Sequence, residues 1–172
     1  GGGVVGQATA KAFIEHVDEV CIYDTDDRRC TNNPNLDIPE CDIVFLCLPT
    51  PQKEGSLECD LSAVHDALKG IDTNYDQMRH KNLVLKSTVP IGTTRALRDK
   101  YNLPNLVHSP EFLTARCANI DAQMPSRNIV GVPCENSKYL YGIKGVGDYL
   151  KSLYESRWPH VPIITMSSDE SE

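Results

Sequence analysis

The chain has 172 residues, about one domain by size, with 40% hydrophobic and 24% charged residues. That balance excludes a disordered tail, a collagen-like repeat and a coiled coil. Seventeen Lys and Arg against 24 Asp and Glu give a net charge of −7, a surface that repels polyphosphate backbones, so no nucleic-acid partner is expected. A single small phosphorylated ligand held by backbone amides is still compatible with that charge. The longest apolar run, residues 43–48, is far short of the roughly 20 residues that cross a bilayer. No charged-then-apolar leader opens the chain. The expectation is a cytoplasmic protein with no membrane partner. Seven cysteines, an odd number without a C-x-x-C pair, argue against a disulfide framework and against a zinc site. Cys21 and Cys47 lie in apolar runs and read as buried, inert thiols; no metal is expected. The chain opens on glycine and stops after a Ser/Asp/Glu cluster, which suggests a piece of a longer protein.

In chain order, residues 4–16 read as a helix, with Val5, Ala8, Ala12 and Phe13 at helical spacing. Residues 19–23 (EVCIY) are short and β-branched, hence strand-like, and end at Asp24. Residues 25–40 are polar, and Asn32-Asn33-Pro34 marks a loop. Residues 42–48 form a buried strand stopped by Pro49 and Pro51. Asp60 is placed to cap a helix through Lys69. A strand over 82–86, a helix over 93–101 and short strands over 106–108 and 128–132 follow. Residues 137–155 read as a helix despite Gly142, Gly145 and Gly147, and a strand over 162–166 comes last. The final SSDESE reads as a frayed end or the cap of a further helix. Strands alternating with helices predict an α/β, doubly wound, mostly parallel sheet with helices on both faces.

Gly1-Gly2-Gly3-Val4-Val5-Gly6 fits G-x-G-x-x-G. The motif is weak alone, and the strand that ordinarily precedes it is missing from this sequence. Its context strengthens it: a helix, then a strand, then Asp24, 18 positions after Gly6. Glycines let the backbone approach a pyrophosphate, and a helix N-terminus offers it N–H groups and a positive dipole end. A carboxylate about 20 residues on accepts the adenosine ribose hydroxyls. The pattern therefore predicts a Rossmann-like dinucleotide site, against a plain structural turn as the alternative. Asp24 repels a 2′-phosphate and favours NAD, although Arg28 or Arg29 is also suited to receive that phosphate. The glycines of residues 142–147 (GIKGVG) have the wrong spacing.

In such sheets ligands bind beyond the carboxyl ends of the strands. Three loops qualify: Pro49-Thr50-Pro51, the stretch beginning Ser87-Thr88-Val89-Pro90, and Ser109-Pro110-Glu111-Phe112-Leu113. Taken singly they are equally well a rigid turn, a second turn, and a helix cap at Ser109 with Glu111 in the first turn.

Together, Gly-x-Gly-x-Val-Gly, Leu48-Pro49-Thr50-Pro51, Asp60-Leu61-Ser62, Ser87-Thr88-Val89-Pro90-Ile91-Gly92-Thr93-Thr94, Ser109-Pro110-Glu111-Phe112-Leu113 and Ser126-Arg127-Asn128-Ile129-Val130-Gly131 resemble the UDP-glucose/GDP-mannose dehydrogenase family. The resemblance covers its N-terminal NAD-binding domain. It implies a domain over 1–166, with 167–172 opening a linker to a central helix and a C-terminal domain. It also implies two NAD-dependent oxidations of a nucleotide-sugar primary alcohol (UDP-sugar or GDP-mannose) to a carboxylate, through cysteine-bound intermediates, in a homodimer or larger assembly. By the same resemblance Gly1, Gly3, Val4, Val5 and Gly6 face the pyrophosphate, Asp24 the ribose and Arg29 the adenosine end. Pro49, Thr50, Pro51, Ser87 and Thr88 line the rest of the cofactor. Glu111 is the active-site glutamate, and Glu111, Phe112 and Leu113 meet the sugar. Three departures stand out. Ala115 replaces a frequent second glutamate. The stretch from Asp24 to Asp42 is short by about a helix and a strand. None of the seven cysteines has the setting of the family nucleophile, and the chain stops before the family's lysine. A stand-alone NAD-binding module and a 6-phosphogluconate-like hydroxyacid dehydrogenase are the alternatives.

Overall fold

The computed structural model describes residues 1–31, 40–74, 81–133 and 140–172; the loop expected at Asn32-Asn33-Pro34 and Cys134 lie outside them. Five strands form one sheet in chain order: β1 (Ile43–Leu46), β2 (Asn82–Leu85), β3 (Leu106–His108), β4 (Asn128–Val132) and β5 (Ile163–Ser167). The pairs β1–β2, β2–β3 and β4–β5 are parallel, whereas β3 meets β4 antiparallel at His108 and Gly131. Around the sheet lie α1 (Val4–Phe13), α2 (Ser62–Asn74), α3 (Thr93–Tyr101), α4 (Ala118–Gln123), α5 (Leu140–Arg157) and the short α6 (Ser168–Ser171).

The two-residue pleat divides the strand side chains between two cores. Leu83 and Leu85 join Leu46, Val64, Leu68, Leu97 and Tyr101, so α2 and α3 cover one face. Val84 and Val107 join Ala12, Phe13, Val146, Leu150, Tyr154 and Trp158, so α1 and α5 cover the other. Both faces of the central strands are thus dry, which is why β2 reads as a continuous apolar run. Each such side chain contributes about 1.5–3 kcal/mol by leaving water. Phe13 fixes α1 at the crossing point: its ring stacks on Phe45 at 5.7 Å and meets the edge of Trp158 at 5.3 Å. The Trp158 indole N–H then donates to the Gln123 carbonyl at 2.8 Å, tying α5 to α4.

The expected elements are found with ends moved by a few residues, the helix expected through Lys69 running on to Asn74 and the last strand to Ser167, and with one correction. Residues 19–23 are not a strand; among the described residues β1 is the edge of the sheet. Composition makes a segment extended, but a strand requires a ladder beside it. Here Ile22 bonds locally, accepting from the Thr31 amide at 3.0 Å and donating to the Thr31 hydroxyl oxygen at 2.8 Å. Cys21, read as buried, is half-exposed in consequence, and Cys47, read the same way, is likewise only partly buried as a residue. Of the two readings of the closing SSDESE, the helix cap is the one found. Ser167 and Glu170 form a reciprocal capping box that starts α6.

Candidate functional site: a glycine loop, an acidic partner and three strand-end loops

The glycine loop is pressed against the carboxyl end of β1. A Cβ built on Gly1 would lie 2.1 Å from the Cys47 carbonyl oxygen, and one on Gly6 would lie 1.8 Å from the Gly1 carbonyl oxygen. No side chain fits at either position. Gly3 differs: a Cβ there would meet nothing within 4 Å, so its surface is open to a ligand. Gly3 is also the N-cap residue of α1, whose first turn of Val4, Val5 and Gly6 carries no acid. Unopposed N–H groups and the positive dipole end therefore face the open side.

Asp24 sits directly beside this loop. Its Oδ2 accepts from the Gly2 amide at 2.6 Å and its Oδ1 from the Asp26 amide at 2.9 Å. The Asp26 and Gly2 amides, with the nearby Arg29 charge, hold the carboxyl below its ordinary value against the opposing cost of burial. A carboxylate has about four lone-pair directions, so two remain for ribose hydroxyls. Arg29 is half-exposed, 3.6 Å from Asp26. An open glycine, an acid-free helix start and a flanking carboxylate fit a dinucleotide.

The strand-end loops lock to one another. The Thr50 hydroxyl donates to the Thr88 carbonyl at 2.7 Å. The Ser87 hydroxyl donates to the Leu48 carbonyl at 2.7 Å and accepts from the Leu48 amide at 2.9 Å. With these protons committed, Thr50 and Ser87 hold the two loops in register and Pro49 and Pro51 flank the joint. Buried His108, at the end of β3, adds a third tie, its Nε2 lying 3.3 Å from the Ser87 carbonyl oxygen.

The third loop does not start a helix, which removes the reading of Ser109 as a cap. Residues 109–114 run without regular structure, and the buried Ser109 hydroxyl instead meets the Tyr154 hydroxyl at 2.8 Å. Beside this loop opens a cavity of about 240 Å³, with Phe13, Tyr154 and Trp158 on its apolar side and Glu111 and Lys86 on its polar side. The Glu111 carboxylate accepts from the Leu113 amide. Lys86 donates to the Ser109 carbonyl at 3.2 Å, which anchors the loop that carries Glu111. Phe112 is exposed, with the Arg127 guanidinium 4.1 Å above its ring, a cation–π contact.

Lys86, Arg127 and Asp26 were not singled out in the sequence. Lys86 carries the clearest signal, as the charged residue that ends an apolar strand and immediately precedes Ser87. Burial pushes the Cys47 thiol up, partly offset by Lys86; a thiol so placed is a poor nucleophile. Ala115 is exposed. Among the described residues no group of three His, Cys, Asp or Glu side chains is placed to hold a metal ion, and no helix is long and apolar enough to cross a membrane.

Comparison with known proteins identifies the family of the chain. Residues 29–157 match the model of the UDP-glucose/GDP-mannose dehydrogenase family, NAD binding domain. A UDP-glucose 6-dehydrogenase of Campylobacter jejuni is 31% identical over 94% of this chain and 36% of its own length. One from Streptococcus pneumoniae is 31% identical over 74% of the chain and 31% of its own length. The chain thus spans about a third of the length of these relatives. Among solved structures, a ternary complex of GDP-mannose dehydrogenase from Pseudomonas aeruginosa superposes with a TM-score of 0.72 at 19% identity, over 99% of this chain and 46% of that one. A UDP-glucose dehydrogenase from Pyrobaculum islandicum gives 0.68 at 21% identity, over 97% and 44%. These two share the Rossmann-like fold. With the matched model covering most of its length, the chain belongs to the UDP-glucose/GDP-mannose dehydrogenase family, as an NAD-binding domain.

Proposed function

We propose that the protein is an NAD-dependent nucleotide-sugar 6-dehydrogenase, in which residues 1–166 form the cofactor domain and 167–172 begin the connection to the rest. The observation that carries this reading is the placement of Glu111 and Lys86 on one cavity, at the carboxyl ends of the same parallel strands that the glycine loop is pressed against. When bound, NAD accepts hydride. Two such transfers convert a primary alcohol to a carboxylate, consuming one water and releasing three protons.

Gly1, Gly3 and Gly6, with Val4 and Val5 in the first turn of α1, hold the pyrophosphate, and Asp24 holds the adenosine ribose. Thr50, Thr88 and Ser87 keep the strand-end loops at the spacing the dinucleotide needs. Glu111 takes protons from the sugar hydroxyl or the hydrolytic water, since a carboxylate in a half-enclosed cavity is suited to general-base work. Lys86 supplies a positive charge beside it and holds its loop. Phe112 and Leu113 border the sugar.

Cys47, the cysteine nearest the glycine loop among the described residues, lies behind that loop with its thiol pushed up, and none of the cysteines has the setting of the family nucleophile. The 172 residues alone are therefore expected to bind NAD without oxidising a sugar. The test is NADH formation by the whole protein with UDP-glucose, GDP-mannose and UDP-N-acetyl sugars offered separately. One of them should yield two NADH per sugar acid, and the isolated 172 residues should yield none. NAD binding with no NADH from any of the sugars would replace the enzyme reading with a binding module.

A further inference from the structure

Arginines just after the ribose-binding acid are the residues that would receive the 2′-phosphate distinguishing NADP from NAD. Arg28 and Arg29 occupy that place, and both are engaged. Arg28 reaches Asp26 in a bidentate pair, Nε to Oδ1 at 2.8 Å and Nη2 to Oδ2 at 2.8 Å. Arg29 Nε stands 3.6 Å from the same Oδ2. Asp26 further accepts from the Arg28 amide at 3.2 Å, which caps the 3-10 turn Asp27–Arg29. Its own amide donates to Asp24 Oδ1. One short side chain thus gathers both cations while its backbone holds the ribose carboxylate.

We propose that Asp26 sets the choice of cofactor by sequestering Arg28 and Arg29, so that a 2′-phosphate would meet Asp24 with no available cation. The proposal rests on the reading of Asp24 as the ribose ligand. Asp24, Asp26 and Asp27 against Arg28 and Arg29 leave this rim one charge negative, and a phosphate monoester adds about −1.5 to −2. Without Asp26 the rim is neutral. It then offers two guanidinium forks, each shaped to clasp phosphate oxygens. Exposed ion pairs are weak, so the effect falls on discrimination rather than on folding.

The experiment is titration of the whole protein with NAD and with NADP. Asp26→Ala should raise the NADP-to-NAD affinity ratio about two- to fivefold, the range expected from releasing an exposed ion pair, and the gain should shrink with added salt. Asp26→Asn keeps the turn cap and the amide bonded to Asp24, so it folds as the parent does and should show a smaller rise. Replacing Arg28 and Arg29 by Ala in the Asp26→Ala background should return the ratio to its original value. An unchanged ratio in Asp26→Ala, with NAD binding still dependent on Asp24, would overturn the proposal alone. NAD binding indifferent to Asp24→Ala would overturn the ribose assignment and the proposal with it.

Discussion

Asp24 and Glu111 are both half-buried carboxylates that accept from backbone amides, and the proposed function gives binding to the first and chemistry to the second. Asp24 is bonded to Gly2 of the glycine loop, so on the proposed function its replacement loses a ribose acceptor and loosens the pyrophosphate loop together. Asp24→Ala should weaken NAD binding by about 1–3 kcal/mol, the range for charge-assisted hydrogen bonds. Titration calorimetry reads this directly, and an unchanged affinity would place the ribose elsewhere. Because its amide partners hold the Asp24 carboxyl below the ordinary value of 3.8, it stays charged through the neutral and mildly acidic range. The stability it adds is present above the unfolded value and is lost only as pH falls through the lower folded one. Glu111→Gln keeps the size and the acceptor for the Leu113 amide but removes the base. NAD affinity should hold while kcat drops about 10²- to 10⁴-fold. An equal fall in both would make Glu111 a cofactor ligand rather than a base.

At the scale of the element, the glycine loop tests whether its residues are needed for the fold or for the ligand. Gly6→Ala forces a methyl into the Gly1 carbonyl and should destabilise the chain by several kcal/mol through displaced backbone. Gly3→Ala meets only open space and has an ordinary extended backbone. It should lower stability by no more than about 1 kcal/mol, the cost of Ala at an N-cap, yet weaken NAD binding. A stability loss as large as that of Gly6→Ala would mean that the loop closes on protein rather than on ligand. The helices and strands of both cores were legible because apolar periodicity reports burial, and the sheet buries both faces. What was not legible depends on partners distant in sequence. EVCIY has strand composition but no ladder beside it, and Ser109 has capping chemistry but Tyr154 as its partner. Glu111 and Asp24 could be read from motif position and Lys86 from its place at the end of an apolar strand, whereas Asp26 acts through contacts that no spacing rule encodes.

At the scale of the molecule, the end of the chain latches the sheet to the helix that follows the Ser87-Thr88 loop. Glu172 Oε2 accepts from the Gly92 amide at 2.5 Å and the Thr93 amide at 3.2 Å, and its Oε1 accepts from the Thr94 amide at 2.6 Å. It thereby caps α3 from 80 residues away, and Arg95 pairs with Asp169 at 2.9 Å alongside. Glu172→Ala should cost about 0.5–2 kcal/mol, as N-cap losses do. Beneath this latch lies His108, only 1% exposed, with Nδ1 2.8 Å from the Ser171 hydroxyl. Burial holds its imidazole below the ordinary value of 6.5; the Ser87 carbonyl and Glu172 oppose that shift, and Lys86 adds to it. Between the folded and unfolded values the unfolded chain carries a proton that the folded chain lacks, so stability rises with pH across that window. It is complete above about pH 6.5 and is lost as pH falls toward the lower folded value. His65 shifts in the same sense, through burial and the charges of Lys100 and Lys69, so a His108 variant is needed to isolate the share due to His108. Melting at about pH 7.5 and about pH 5.5 should show a marked fall for the parent and a shallower one for His108→Asn, even though the variant starts lower from its lost contacts. Parallel falls would show that the latch is indifferent to protonation of His108, and that the acid sensitivity resides elsewhere.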